Sequence, residues 1–313
     1  MIYYKFRTLV TSYFFPQIDK NASFIYFLYG NYGNIIAKLY WWLFTHSSFI
    51  RTLTKVDSSD IEDFEILNKL IGTNSIFAIN YGTPNNEQKK SILGLETKTG
   101  RKFFAKYAVK ENAKRLSKNE IMIYNLLTGT NLVPEIYESI ETHDYVFFKC
   151  ECIEGKHVTK KIDPNTILKI LFKLKTYHYP NPDRYGKTTY LKTSLAHCDF
   201  CQWNMIDVNG NIHIIDWELA QERPLGFDLF TYIFNNNWAQ DHKITDPIIL
   251  HKYKKIIKQY FDSENIKNWV PYLNAFIEIK MEWQKDNPDK FYYNHLITLN
   301  NLIKEKYKNE LFQ

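Results

Sequence analysis

Apolar positions recur along the chain in two periods, and the switch between them divides it. Ile61, Phe64, Leu67, Leu70 and Ile71 repeat at helical spacing; Ser59 to Glu62 reads as a capping box and Gly72 as a stop. Three strand-like runs follow, at 76–81, 91–97 and 102–109. Leu116, Ile121, Tyr124 and Leu127 then return to helical spacing before Gly129. That helix starts either near Asn112 or, if Ser117–Glu120 is itself a capping box, later; the earlier start is preferred. A strand-like run from Tyr145 ends at Gly155. Beyond it the pattern is mainly helical, with Ile167, Ile170, Leu171 and Leu174 first and further helices over 250–261, 271–283 and 292–308. Residues 180–193 read as a connection punctuated by Pro and Gly. The whole predicts an α+β chain, with a small antiparallel sheet early and helices late. Ahead of it, Ile35, Leu39, Trp42 and Leu43 mark a helix in an aromatic-rich stretch of about 56 residues.

One short hairpin interrupts the helical half and carries the chemistry. Met205–Val208 and 211–215 are rich in β-branched and apolar residues, and Asn209-Gly210 between them is a strong type I′ turn signal. Counting outward from the turn pairs 204 with 215, so Asn204 and Asp216 fall at the same open end. Asp199 lies on the loop entering the first strand. An amide and a carboxylate at a hairpin mouth offer the hard oxygen ligands that Mg²⁺ takes, with phosphate and water completing its shell. A further carboxylate nearby can orient a hydroxyl and accept its proton.

Written out, the stretch is His197-x-Asp199-x-x-x-x-Asn204, then Asp216-Trp217-Glu218, with Gly226-Phe227-Asp228-Leu229 downstream. It resembles the catalytic and metal-binding loops of the aminoglycoside phosphotransferase and choline kinase superfamily. The resemblance implies a bilobal protein-kinase-like fold, with residues 1–56 as a helical N-terminal extension, 57–152 as a small nucleotide-binding lobe and 153–313 as a large catalytic lobe. It implies ATP and Mg²⁺ as cofactors, Asp199 as the catalytic base, His197 as a brace of the catalytic loop, and Asn204 and Asp216 as metal ligands. Asp228 is implied to brace the same loop. One departure is visible: Cys198 stands where the family has glycine, which bears on the loop's backbone freedom.

Lys106 sits mid-strand among apolar residues, either as an edge-strand solubiliser or as the ammonium that holds nucleotide phosphates. Its place on the third strand, before a helix carrying Glu120, favours the second role. The Glu151 carbonyl and Ile153 amide are, by the resemblance, the adenine contacts of a hinge. The segment from Gly82 to Lys90 stands where kinases cover phosphates with a glycine-rich loop, yet it holds a single glycine and reads as a plain hairpin loop.

Composition bounds the rest. The chain has 313 residues, 45% hydrophobic and 24% charged, as a globular protein does, and a net charge of +6. No basic block interleaved with aromatics points to nucleic acid. Cys150, Cys152, Cys198 and Cys201 form two close pairs; zinc is disfavoured because each pair already has a place in the kinase reading. Few cysteines and no secretory pattern at Met1 suit the cytoplasm. The extension is either a packed cover, which its spacing favours, or an interfacial helix resting on a membrane. The predicted function is a small-molecule kinase acting on a hydroxyl, with a sugar or sugar-containing precursor of a bacterial surface polysaccharide as acceptor. A choline or ethanolamine kinase is the alternative. A kinase-shaped binding protein without turnover is the alternative of another class.

Overall fold

The computed structural model describes residues 1–17, 20–29, 35–159, 162–180, 191–241, 248–285, 293–294 and 296–301. They fall into two compact units, 1–154 and 155–313. Of the sequence segment 292–308 only 293–294 and 296–301 are described, and most of 180–193 lies outside the described residues.

In the first unit, β1 (Ile2–Arg7) and β2 (Ser12–Pro16) form a hairpin. After α1 (Ile35–His46) and α2 (Ser48–Leu53), β3 (Lys55–Asp57) pairs with the outer edge of β1. Helix α3 (Phe64–Ile71) leads into the hairpin-linked β4 (Ser75–Asn80), β5 (Lys89–Glu96) and β6 (Lys102–Ala108). Helix α4 (Glu111–Leu126), β7 (Ile136–Glu141) and β8 (Val146–Glu151) complete the unit. All eight strands join one antiparallel sheet, in the order β3-β1-β2-β4-β5-β6-β8-β7.

Two local expectations are corrected. The N-terminal extension holds three strands as well as its helices, and β2 pairs directly with β4. The β1–β2 connection, Thr8-Leu9-Val10-Thr11, carries none of the Gly, Pro, Asn or Asp residues that mark turns. It closes instead through the Thr8 hydroxyl, which accepts from Thr11 N at 3.0 Å. The capping box at Ser59–Glu62 does not form either. Asp57 caps a short 3₁₀ turn at Ser58–Asp60, and α3 starts after Asp63, whose φ of 61° breaks the chain's path. Gly72 does end α3, with φ of 94°.

The sheet has a core on each face. On one, α3 packs Phe64, Leu67 and Ile71 with Tyr3, Phe77, Ile79, Phe103 and Phe147. On the other, Phe6, Tyr13, Phe15, Ile25, Tyr29 and Phe44 cluster with Ala78. The first 50 residues therefore supply side chains to both cores, and the alternation along β1 and β2 sends successive aromatics to opposite faces.

The second unit begins at Gly155, where a Cβ would meet the Asp207 carbonyl at 2.5 Å, so only glycine passes. Strand β9 (Lys156–His157) lies there. Then come α5 (Pro164–Leu174), capped by Asp163, and β10 (Thr193–Ala196). The hairpin β11 (Met205–Val208) and β12 (Asn211–Ile214) follows, with β9 added to its edge. Strand β13 (Gln221–Pro224) pairs with β10. Helices α6 (Phe227–Asp241), α7 (Ile248–Asp262) and α8 (Val270–Lys285) form the helical body. Among the described residues no helix is long and apolar enough to cross a membrane.

Candidate active site

The hairpin register follows from its turn. Asn209 and Gly210 take φ of 53° and 89°, the double left-handed step of a type I′ turn. Val208 faces Asn211 and Met205 faces Ile214. One step further out, Ile215 N donates to the Asn204 carbonyl at 3.0 Å. Asn204 and Asp216 thus lie at the same open end of the hairpin. Asn204 Nδ2 also donates to the Asp199 carbonyl and to Asp199 Oδ2, each at 2.9 Å. Both bonds use Nδ2, which leaves Oδ1 as the amide's ligating end. The Cys201 thiol donates to Asp199 Oδ1 at 3.3 Å. Asp199 is therefore held at both oxygens.

Asp216 has φ of 68°, a left-handed conformation that L-residues adopt at a cost of about 1–2 kcal/mol. It turns the chain into a short 3₁₀ turn, Trp217–Leu219, anchored by the fully buried Trp217. Glu218 on that turn offers a carboxylate oxygen within 4.8 Å of one from Asp216. The pair supplies two hard oxygen donors of the kind that Mg²⁺ or Ca²⁺ takes.

His197 braces the loop through its backbone. Its Nε2 donates to the Ile215 carbonyl at 2.9 Å, and its Nδ1 accepts from Asp199 N at 3.2 Å. Both ring nitrogens are thus engaged with the backbone of the loop and of Ile215. The ring is buried against Trp217 at 4.6 Å. Asp228, at the start of α6, accepts from His197 N at 2.7 Å and Cys198 N at 3.0 Å. Burial raises its pKa, with these two amides acting the other way.

Cys198 takes φ of 72°, the conformation glycine would adopt without strain. Its peptide is held from both ends: Asp228 receives its N–H, and Lys280 Nζ of α8 donates to its carbonyl at 2.9 Å. The Lys280 ammonium is buried, over the rings of Phe227, Phe276 and Trp283. Burial lowers its pKa, and nearby acidic groups, Asp199 among them, act the other way. Sequence reasoning missed this lysine. The available signal is a lone cation at helical spacing from Phe276 and Trp283, on an otherwise apolar stripe.

In the first unit, Lys106 lies on β6 and Glu120 in the middle of α4, both buried. Lys106 Nζ donates to both Glu120 oxygens, at 2.9 and 2.7 Å. Tyr124, one turn along, donates to Oε1 at 2.9 Å. The early start of α4 makes this geometry, because Glu120 is mid-helix and free of the capping role. The β4–β5 loop is tied down rather than glycine-rich: Lys110 Nζ donates to the Asn85 carbonyl at 2.7 Å, and Asn112 Nδ2 donates to Glu87 at 3.2 Å. Its single Gly82 has φ of 70° and would carry a Cβ 2.5 Å from the Lys89 carbonyl. Glu151 ends β8, its amide donating to the Glu135 carbonyl at 2.8 Å, and Ile153 lies two residues beyond.

The four cysteines are free thiols, three of them buried. Burial pushes Cys198 up to about 12 and Cys152 up to about 11, and raises Cys150 and Cys201 as well.

No family model matches the chain, and no curated protein matches it. Solved structures similar in chain path include an aminoglycoside-3'-phosphotransferase of type VIII, 12% identical over 55% of this chain and 82% of that one, at a TM-score of 0.41. An amicoumacin kinase in complex with AMP-PNP, Ca²⁺ and Ami is 11% identical over 79% and 95%, at 0.49. An ethanolamine kinase of Plasmodium vivax is 13% identical over 91% and 94%, at 0.48. Likeness at this level carries no argument about chemistry, which rests on the residues themselves.

Proposed function

We propose that the chain is an ATP- and Mg²⁺-dependent phosphotransferase acting on a hydroxyl of a small molecule. One observation carries the reading: Asp199, Asn204 and Asp216 stand on one braced loop and hairpin mouth, with the Asp199 carboxylate fixed at both oxygens. In this reading Asp199 orients the acceptor hydroxyl and takes its proton. Asn204 and Asp216, with Glu218 as a further donor, hold Mg²⁺, which when bound neutralises phosphate charge. Lys106, set by Glu120, grips the nucleotide phosphates, while the Glu151 carbonyl and Ile153 amide receive adenine. Catalysis by such parts is mainly positioning and charge stabilisation.

The acceptor proposed is a sugar or sugar-containing precursor of a bacterial surface polysaccharide, supported by the wording Asp199-Phe-x-x-Trp-Asn204 and Asp216-Trp-Glu-Leu-Ala220. A choline or ethanolamine acceptor is the second reading, supported by the wording Asp216-x-Glu218 and Gly226-Phe227-Asp228. A binding protein without turnover is disfavoured, since the loop keeps every polar group that phosphoryl transfer needs. Free thiols suit the cytoplasm as its place of work. The test is transfer of labelled phosphate from Mg-ATP by the purified chain to sugars, choline, ethanolamine and aminoglycosides. The reading expects stoichiometric product with one class, sugars first. Nucleotide bound tightly with no acceptor phosphorylated would favour the silent binder.

A further inference from the structure

Helix α1 carries apolar side chains on two sides, interrupted by Lys38, Thr45 and His46, and only one of those sides is covered. Trp41 and Phe44 face inward and pack against Phe6, Phe15 and Tyr29 at ring distances of 4.7 to 5.8 Å. The opposite side carries Ile35, Ile36, Leu39 and Trp42, which are 84%, 75%, 55% and 54% exposed. At 100° per residue these four fall within one side of the helix, and Lys38 flanks them. Phe49 and Leu53, one turn apart on the adjoining α2, are 68% and 69% exposed. The apolar stripe that the sequence singles out is thus the outward one. A helix apolar on both sides belongs in an apolar setting on both sides, and an exposed cluster of this size marks an interaction surface.

Charge and side-chain type decide between occupants. From residue 20 to 56 the sequence has Lys20, Lys38, Arg51 and Lys55 and no Asp or Glu. Exposed Trp42 is a residue that settles at the level of lipid headgroups, and Lys38 is exposed beside the apolar side chains of α1. A helix lying in a bilayer interface needs such an outward apolar side with basic flanks, and its inner side is free to pack on the protein. We infer that the α1–α2 surface docks the first unit onto an anionic lipid bilayer. The inference is independent of the proposed activity.

The full chain should co-sediment with vesicles rich in phosphatidylglycerol, less with phosphatidylcholine vesicles, and less again as salt rises. Ile35→Gln, Leu39→Gln and Trp42→Gln together should weaken that binding by about tenfold or more, as the loss of inserted apolar area implies. The same variant should unfold at the wild-type temperature and bind Mg-ATP as the wild type does, because Trp41 and Phe44 keep the inner packing. Equal sedimentation with both vesicle types, or undiminished binding by the triple variant, would overturn the inference. So would a wild-type dimer that ignores vesicles and that the triple variant dissolves, since the occupant would then be a second copy.

Discussion

Asp199→Asn should leave Mg-ATP binding intact while lowering turnover by about 10²-fold or more, the range for losing a general base. The change is close to isosteric, and the local bonds can survive it. The new amide oxygen can still accept from Asn204 Nδ2, and its NH₂ can turn toward the Cys201 sulfur, the two groups that now hold the carboxylate. The braces of His197 and Asp228 use backbone atoms and are untouched. What disappears is the negative oxygen that orients the acceptor and takes its proton. The measurement is kcat on the acceptor found by screening, alongside nucleotide affinity. Turnover near that of the wild type would remove Asp199 from the role.

Deleting residues 1–57 should make the protein insoluble or unfolded rather than merely shorter. The cut removes Tyr3, Phe6, Phe14, Phe15, Ile25 and Phe44, all buried, from the two faces of the sheet. Each such side chain contributes about 1.5–3 kcal/mol by leaving water. Their sum rivals the whole net stability of a domain, about 5–15 kcal/mol. The cut also strips β1, β2 and β3 from the sheet and turns β4 into an edge, with Phe77, Ala78 and Ile79 uncovered along it. Solubility and cooperative melting of the truncated chain decide the matter. A soluble truncation with an unchanged melting temperature would mean that the extension is an appendage.

The parts of this molecule legible in the sequence are those with local causes. The β11–β12 register is fixed by Asn209-Gly210, and from it the place of Asn204 and Asp216 at one end of the hairpin follows by counting. The α4 helix is legible from its spacing, and the choice of an early start brings Glu120 to Lys106. What the sequence hides depends on distant partners. Strands β1 and β2 lack turn residues between them and exist because the edge of β4 receives them. The same holds for Cys198, whose left-handed backbone is held by Asp228 and by Lys280, 82 positions away in sequence. The stripe Ile35, Leu39, Trp42 and Leu43 shows at helical spacing in the sequence, but that it faces outward is settled only by where Trp41 and Phe44 pack.

The central claim, a nucleotide site that works through a divalent ion held at the hairpin mouth, is tested most directly by titration calorimetry of ATP. The wild type should bind ATP with added Mg²⁺ and lose most of that affinity when the ion is chelated, since phosphate charge is then unmatched. Asp216→Ala should bind weakly in either condition, while its melting temperature shows whether the hairpin is still folded. ATP binding that is equal with and without Mg²⁺, or unchanged in a folded Asp216→Ala protein, would contradict the account.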